Sequence, residues 1–284
     1  MNATLATNTP PSPTSAPAAA LGSVSLVGAG PGAKDLLTLR AVEALAHADV
    51  VYYDSLVDDD VLDFVPDAAA CVFVGKRKGF SAMPQQDIQD HMRKDALAGK
   101  TVVRLKGGDP FIFGRGGEEL QDLHGYGFSV DVVPGVTSAT AAAAVAGIPL
   151  THRDVATSVT FATGHTTNGD VPDLTGLASS DRTFVFYMGI SNAPKIASQL
   201  RHSGAPGTTP VAVIEQATLP GQRIINSTID ALEADLRTQN IGMPALLIVG
   251  EVTALGVPKS DSLIPLAPSP EPANDFAWVH HPMG

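Results

Sequence analysis

Val102 to Leu120 reads VVRLKGGDPFIFGRGGEEL, and the change of character along it decides the fold class. Thr101, Val102 and Val103 open a β-branched run, the side-chain type that packs well on a pleated sheet. The run ends at Lys106, Gly107, Gly108, Asp109 and Pro110. A glycine pair lets a backbone take φ > 0 or approach a neighbour closely, and Pro110 has no N–H with which to extend a ladder. An apolar turn follows, then a second glycine cluster carrying Arg115, Glu118 and Glu119, and Gly116 to Leu123 reads as a helix. Strand, glycine loop and helix in that order are the repeating unit of α/β proteins. The charges around both turns make this a candidate ligand loop. GGDP alone also fits an ordinary strand-to-helix connection.

The same unit recurs on both sides. Ser23 to Val27 is a short strand, followed by GAGPGAKDLLTLRAVEAL, a glycine turn and an amphipathic helix. Leu36, Leu37, Leu39, Val42 and Leu45 fit one face of that helix at helical spacing. Asp49 to Tyr53 is the next strand and ends at Asp54; Cys71 to Val74 opens onto Gly75, Lys76, Arg77, Lys78 and Gly79. Pro84 to Leu97 reads as a helix, Thr101 to Leu105 as a strand, and Val130 to Val133 as a strand ended by Pro134 and Gly135. The alternation predicts an α/β domain with a largely parallel sheet. Beyond it, Ala139 to Val145 is a small-residue helix ending near Gly147 and Pro149. Strands are predicted at Val155 to Ala162, Thr183 to Met188, Val211 to Glu215, Gln222 to Ser227 and Ala245 to Val249, with helices near Ala193 to Arg201 and Ile229 to Thr238. The expectation is two α/β domains, residues 21–136 and 137–266, meeting near Pro134 to Ala139. A disordered arm over 1–20 and a Pro-rich tail over 267–284 flank them.

The 284 residues are 44% hydrophobic, enough for one large core or two of ordinary size. A net charge of −11 argues against a broad nucleic-acid surface. Nine of the eighteen Lys and Arg residues nevertheless lie between Lys76 and Arg115. A basic island on an acidic chain points to a local anionic ligand, with solvated surface loops as the alternative. Cys71 is the only cysteine, which excludes an intramolecular disulfide and a cysteine-cluster metal site. Set between Ala68 to Ala70 and Val72 to Val74, it is expected to be a buried strand thiol. The eight His residues form no HExxH pattern, so no metal is expected. No apolar run approaches a membrane span. The first twenty residues lack a positive charge and do not make a signal peptide, so a cytoplasmic protein is expected.

Gly28, Gly30 and Ala33 match G-x-G-x-x-A after a strand and before a helix, and Asp54 ends the next strand. That is the pattern of a dinucleotide site. Pro31 weighs against it, because it removes a backbone donor where a pyrophosphate would need one.

Taken together, the segments resemble the tetrapyrrole methylase family. The resemblance rests on GAGPG with LLTLRA, VVYYDSLV, GKRKG, RLKGGDPFIFGRGGEE, VVPGVTSATAAAAVAGIPLTHRD, FATGH, the YMG at Tyr187 to Gly189, and MPALLIVGEV. It covers about Val24 to Val252. GKRKG, GGDPFIFGRGGEE and PLTHR favour the branch that methylates uroporphyrinogen III over later corrin methylation, diphthine synthesis or ribosomal RNA methylation. The resemblance implies two α/β domains of the tetrapyrrole methylase type, S-adenosylmethionine in a cleft between them, no metal, no membrane and a homodimer. By position it puts Pro31 in the cofactor site, Gly107, Gly108 and Asp109 on the methionine and ribose portions, Ile112 close by, and Thr137 and Ser138 as further contacts. Met188, Ala217 and Ala245 would flank the adenosine. Ser138 and Ala217 depart from the residues common in the family, so their contacts are expected through backbone atoms. Asp54 and Lys76 match its proposed proton acceptor and donor, and Arg115, Glu118 and Arg153 match positions tied to substrate binding or proton transfer.

The chemistry implied is methyl transfer from a sulfonium to a ring carbon, at C2 and then C7, giving precorrin-1 and precorrin-2 for sirohaem, cobalamin or haem d1. Alignment of carbon, methyl and sulfur is the main task, and a base must then take a proton. Arginine stays protonated, so Arg115 suits a carboxylate clamp better than a base. The substrate carries eight carboxylates, and the basic island with His152 and Arg153 suits them. Plainer readings exist: Asp54 as a cap, Lys76 to Lys78 as solvated charges, Met188 as core. Rival functions are methylation of a later corrin, nicotinamide-dependent oxidoreduction and non-catalytic tetrapyrrole carriage. The length leaves no room before Leu21 for an extra α/β domain, so an unfused methyltransferase is expected.

Overall fold

The computed structural model describes residues 21–76, 83–166, 168–176 and 181–256. Arg77, Lys78 and Gly79 of the basic loop, the 1–20 arm and the 267–284 tail lie outside the described residues. The chain divides into two units between Thr137 and Ser138.

The first unit is built on five parallel strands, β1 (Val24–Gly28), β2 (Val50–Tyr53), β3 (Ala70–Phe73), β4 (Val102–Lys106) and β5 (Val130–Val133), in the order β3-β2-β4-β1-β5. Three helices, α1 (Leu39–Ala46), α2 (Gln85–Leu97) and α3 (Gly116–Gly125), cover its two faces. Side-chain alternation sorts the core. Val27, Val51, Val103 and Leu105 pack with Ala41 and Leu45 of α1. Leu26, Tyr52 and Val102 pack with Ile88, Met92 and Ala96 of α2 and Leu123 of α3. Period two therefore sends Arg104 and Lys106 to the α2/α3 face. Thr38 starts α1 by accepting the Ala41 N–H at 3.2 Å. Leu39, expected on the apolar face, is 78% exposed. The helix begins only there, so Leu39 sits in its first turn and Ala41 and Leu45 carry the burial.

Cys71 also differs from expectation. It is exposed, because β3 is an edge strand paired only with β2.

The second unit holds β6 (Ser158–Thr163), β7 (Arg182–Tyr187), β8 (Pro210–Glu215), β9 (Arg223–Thr228) and β10 (Ala245–Val249) in the order β6-β7-β10-β8-β9. Only β6 and β7 are parallel; the other pairs are antiparallel. α4 (Ser138–Val145) packs its alanines on one face against Val185, Ile214 and Ile248. α5 (Ala193–His202) and α6 (Leu232–Thr238) cover Phe184, Phe186, Val213 and Leu247 on the other. The strand predicted from Val155 starts at Ser158, because the two-way backbone pairing of His152 with Ala156 closes a tight turn first. Among the described residues no helix is long and apolar enough to cross a membrane.

Candidate active site

In the first unit the chain leaves β1 for β2 across the α1 face and leaves β4 for β5 across the α3 face. β1 and β4 are neighbours, and their connections leave on opposite faces of the sheet. Such a switch point opens a crevice beyond the carboxyl ends of the strands, where ligands of open α/β sheets bind. GAGPG follows β1 and GGDPF follows β4.

The two loops are joined by backbone. Gly108 N donates to Gly30 O at 2.6 Å, Gly30 N to Gly108 O at 3.2 Å and Ala29 N to Lys106 O at 2.8 Å. The loop after β5 comes equally close. A Cβ on Gly135 would lie 2.2 Å from Gly108 O and 2.9 Å from Gly28 Cα. Three strand ends therefore meet as bare backbone, which only glycine permits. Asp109 fastens the junction: one carboxylate oxygen accepts the Phe111 N–H at 2.9 Å and the other the Gly135 N–H at 3.1 Å. Pro31 follows this junction directly, and Ile112 donates its N–H to Asp109 O at 3.3 Å. The geometry also removes the dinucleotide reading of GAGPGA. The Ala29 and Gly30 N–H groups are spent on the β4 loop, and α1 starts only at Leu39, after a single 3-10 turn at Lys34–Leu36, so no α-helix N-terminus waits at the turn.

Asp54 ends β2 beside these loops. A Cβ on Gly107 would lie 2.6 Å from Leu56 Cβ, and one on Gly75 would lie 3.2 Å from Asp54 Cα. Lys76, one residue on from Gly75, is exposed and makes no ion pair among the described residues. Asp54 Oδ1 accepts the Leu56 N–H at 3.1 Å, and Oδ2 meets Arg104 Nη2 at 3.3 Å. Arg104 leads inward to a buried cluster. Its Nε contacts Glu119 Oε1 at 3.2 Å, and Lys106 Nζ stands 2.9 Å from Glu119 Oε2. The Lys106 contact is an ion pair rather than a well-directed hydrogen bond, which leaves Oε2 without a directed donor. Burial, then the neighbouring Arg104 charge, pulls Lys106 below the usual lysine range despite Glu119.

This cluster corrects the reading of the basic island. Arg93 is paired with Asp90 and Asp122, Lys100 with Asp95, Arg104 with Asp54 and Glu119, Lys106 with Glu119 and Arg115 with Glu118. Much of the positive charge is neutralised within the unit. Arg104, Lys106 and Glu119 are not among the site residues expected from sequence, although two cations in a central parallel strand, normally apolar throughout, are a legible anomaly. Arg115 and Glu118 lie exposed at the start of α3 as an i,i+3 pair. Arg115 takes a left-handed backbone, φ 61°. Their hydrogen bond raises the Arg115 pKa and lowers that of Glu118.

In the second unit, Met188 follows β7, Ala217 follows β8 and Ala245 begins β10. The antiparallel pairings of β10 bring all three to one sheet edge, and Gln216 N donates to Pro244 O there at 2.9 Å. Backbone strain concentrates at this edge: Met188, Gln216 and Thr218 have φ of 54°, 47° and 71°. Non-glycine residues held in that region mark functional loops. Met188 is half exposed rather than core. Thr137 and Ser138 straddle the division and the start of α4, where Tyr187 Oη accepts the Ala139 N–H at 3.2 Å. Arg153 is exposed in the turn closed by His152 and Ala156. The site residues thus fall in two groups, one per unit. Among the described residues no cluster of His, Cys, Asp and Glu could hold a metal.

The profile of the family described as tetrapyrrole (corrin/porphyrin) methylases matches residues 23–233. A siroheme synthase of Yersinia pestis bv. Antiqua (strain Nepal516) is 48% identical over 241 residues, which are 85% of this chain and 51% of that one. The chain thus spans about half the length of the curated relatives it matches. The structure of uroporphyrin-III C-methyl transferase from Thermus thermophilus complexed with S-adenyl homocysteine superposes with a TM-score of 0.72 at 39% identity, covering 82% of this chain and 94% of that one. A cobalt precorrin-4 methyltransferase superposes with a TM-score of 0.73 at 29% identity, covering 81% and 95%.

Proposed function

Because this chain belongs to the tetrapyrrole (corrin/porphyrin) methylase family, we propose that it methylates uroporphyrinogen III at C2 and then C7, giving precorrin-2 by way of precorrin-1. The observation that carries the reading is the all-backbone junction of Gly28, Gly108 and Gly135 at the switch point, with Asp54 beside it. The likeness to the Thermus thermophilus methyltransferase directs the choice of substrate.

The residues present fit S-adenosylmethionine. Bare backbone at the junction leaves room for a ligand to approach closely, and the edge bearing Met188, Ala217 and Ala245 offers an exposed thioether side chain and small residues to an adenosine. Pro31, Gly107, Gly108, Asp109, Ile112, Thr137 and Ser138 would hold the methionine and ribose portions. Bound there, the cofactor supplies an electrophilic methyl group. The chain's own part is to align the acceptor carbon and to take up the proton released by the macrocycle, for which Asp54 is the acceptor that then passes it to solvent, with Lys76 at the position that matches the family's proposed donor. Arg115, Glu118 and Arg153 engage the substrate's carboxylates; Arg115 exchanges its exposed partner Glu118 for a propionate or acetate. The two methylated carbons have similar surroundings, so one site serves both when the macrocycle rebinds rotated. The working unit is a homodimer.

Anaerobic turnover followed by mass spectrometry tests the reading. Uroporphyrinogen III should gain one methyl and then two, with two S-adenosylhomocysteines released. Methylation confined to a later precorrin would leave the family and remove this substrate. Calorimetry should show binding of S-adenosylhomocysteine and none of NAD.

A further inference from the structure

The charged cluster beneath Asp54 has no part in that reading, and its geometry gives it one. Arg104 and Lys106 are each 4% exposed and Glu119 is fully buried. Ions are costly to take out of water, and apolar residues of similar volume generally hold a core as well. Packing alone does not account for these charges.

The bonds have a direction. Glu119, on α3, is held by Gln85 Nε2 of α2 at 2.7 Å and by Lys106 and Arg104 of β4. Arg104 spends Nε on Glu119 and Nη1 on the carbonyls of Tyr52 at 3.2 Å and Leu105 at 2.9 Å. Nη2 meets Asp54 Oδ2 at 3.3 Å. The inner end is sealed, whereas the Asp54 side chain is 26% exposed. With the Leu56 N–H on Oδ1, both oxygens of Asp54 are fixed by donors that cannot rotate away.

We propose that Arg104 is a positioning residue for Asp54, anchored in turn by Glu119 and Lys106. The proposal rests on the reading of Asp54 as proton acceptor. The ionised cluster has two cations, Arg104 and Lys106, and two anions, Glu119 and Asp54. The proton leaves a carbon of the methylated macrocycle, the C–H electron pair returns to the ring system, and the proton lands on the Asp54 carboxylate. The cluster then carries one net positive charge until that proton passes to solvent. Arg104 thereby orients the acceptor and pairs with it again once it is charged. The charged groups facing Asp54 through this network are Arg104 and Lys106 from β4 and Glu119 from α3; Gln85 from α2 is neutral.

The test compares Arg104→Lys, Glu119→Gln, Asp54→Asn and the double variant Arg104→Lys/Asp54→Asn in the full chain. Circular dichroism, calorimetric Kd for S-adenosylhomocysteine, and kcat and KM across pH are measured for each. Arg104→Lys and Glu119→Gln should keep the fold and hold Kd within about twofold, while kcat falls about tenfold with KM little changed. Because Arg104→Lys keeps the positive charge but not the fixed planar fork, its loss reads orientation of Asp54 rather than charge. Asp54→Asn should fall further, and the double variant no further than Asp54→Asn, because Arg104 acts through Asp54. A loss that appears in KM or in Kd rather than in kcat, or losses that add in the double variant, would overturn the positioning role and leave Asp54 as acceptor. Full kcat in Asp54→Asn would overturn the acceptor reading and the proposal with it. Glu119→Gln keeps the volume of the buried site, so the test stands if Arg104→Lys folds poorly.

Discussion

At the scale of single residues, charge location matters more than charge count. Asp109 illustrates it. Beside two glycines its carboxylate reads as ligand-facing with little structural value, yet both oxygens hold backbone N–H groups of Phe111 and Gly135. Asp109→Ala is therefore expected to cost about 1–3 kcal/mol in urea unfolding as well as weakening S-adenosylhomocysteine binding; unchanged stability would return the residue to a purely ligand-facing role. The two adjacent glutamates of GRGGEE separate just as sharply. Glu119 is sealed against Arg104 and Lys106, so Glu119→Ala should cost about 3–5 kcal/mol by leaving buried cations unpaired. The neighbouring pair Arg115–Glu118 is exposed, and Arg115→Leu should change stability by less than about 0.5 kcal/mol while impairing turnover. Equal destabilisation of the two in parallel urea titrations would contradict this division. Sequence showed that these residues cluster. It could not show which carboxylate lies under the sheet, because the two differ only by one step of helix phase.

At the scale of elements, the strand-loop-helix order was readable from β-branched runs, glycine breaks and apolar spacing, and the parallel first sheet followed. Strand order was not readable. Nothing in the separate strands says that β4 inserts between β1 and β2, and that insertion creates the switch point. Nor does local pattern reveal the antiparallel pairing of β10 with β7 and β8, which depends on partners distant in sequence. The glycine junction gives a direct check. Gly135→Ala would drive a Cβ to 2.2 Å from Gly108 O, backbone that cannot swing aside, and should cost about 1–3 kcal/mol and most of the cofactor affinity. Gly117→Ala, in α3 with nothing within 4 Å of a new Cβ, should be neutral or stabilising by up to about 1 kcal/mol. If thermal melts rank the two variants the other way, the junction is not tight. β2 and α2 are tied by Tyr52 Oη donating to Asp95 Oδ2 at 2.6 Å. Burial first, and then this bond, pushes the Tyr52 pKa up. A phenol whose folded pKa is raised stabilises fully below its unfolded value of about 10 and loses that contribution as pH climbs above it. The stability advantage of the parent over Tyr52→Phe should therefore be constant near pH 8 and shrink above pH 10; an advantage that grows there would reverse the sign.

At the scale of the whole molecule, the polyanionic substrate proposed for this acidic chain calls for a few placed cations rather than a general field. Internal pairing turns Arg93, Lys100, Arg104 and Lys106 to carboxylates of the protein itself, whereas Lys76, Arg115 and Arg153 are exposed. Exposed pairs are screened by salt, so KM for uroporphyrinogen should rise several-fold between about 0.05 and 0.5 M salt while Kd for S-adenosylhomocysteine moves little. A KM indifferent to salt would argue against carboxylate clamping. The exposed thiol on β3 has a different use. Cys71 is the only sulfhydryl in 284 residues, on the outermost strand of the first sheet, two residues before the loop that leads to Lys76. Partial desolvation pushes its pKa up, so maleimide coupling calls for mildly alkaline buffer. The molecule therefore accepts one nitroxide or fluorophore at a defined address with no engineering, and a dye there would report in real time, at one-to-one stoichiometry, on ligands arriving at the first unit.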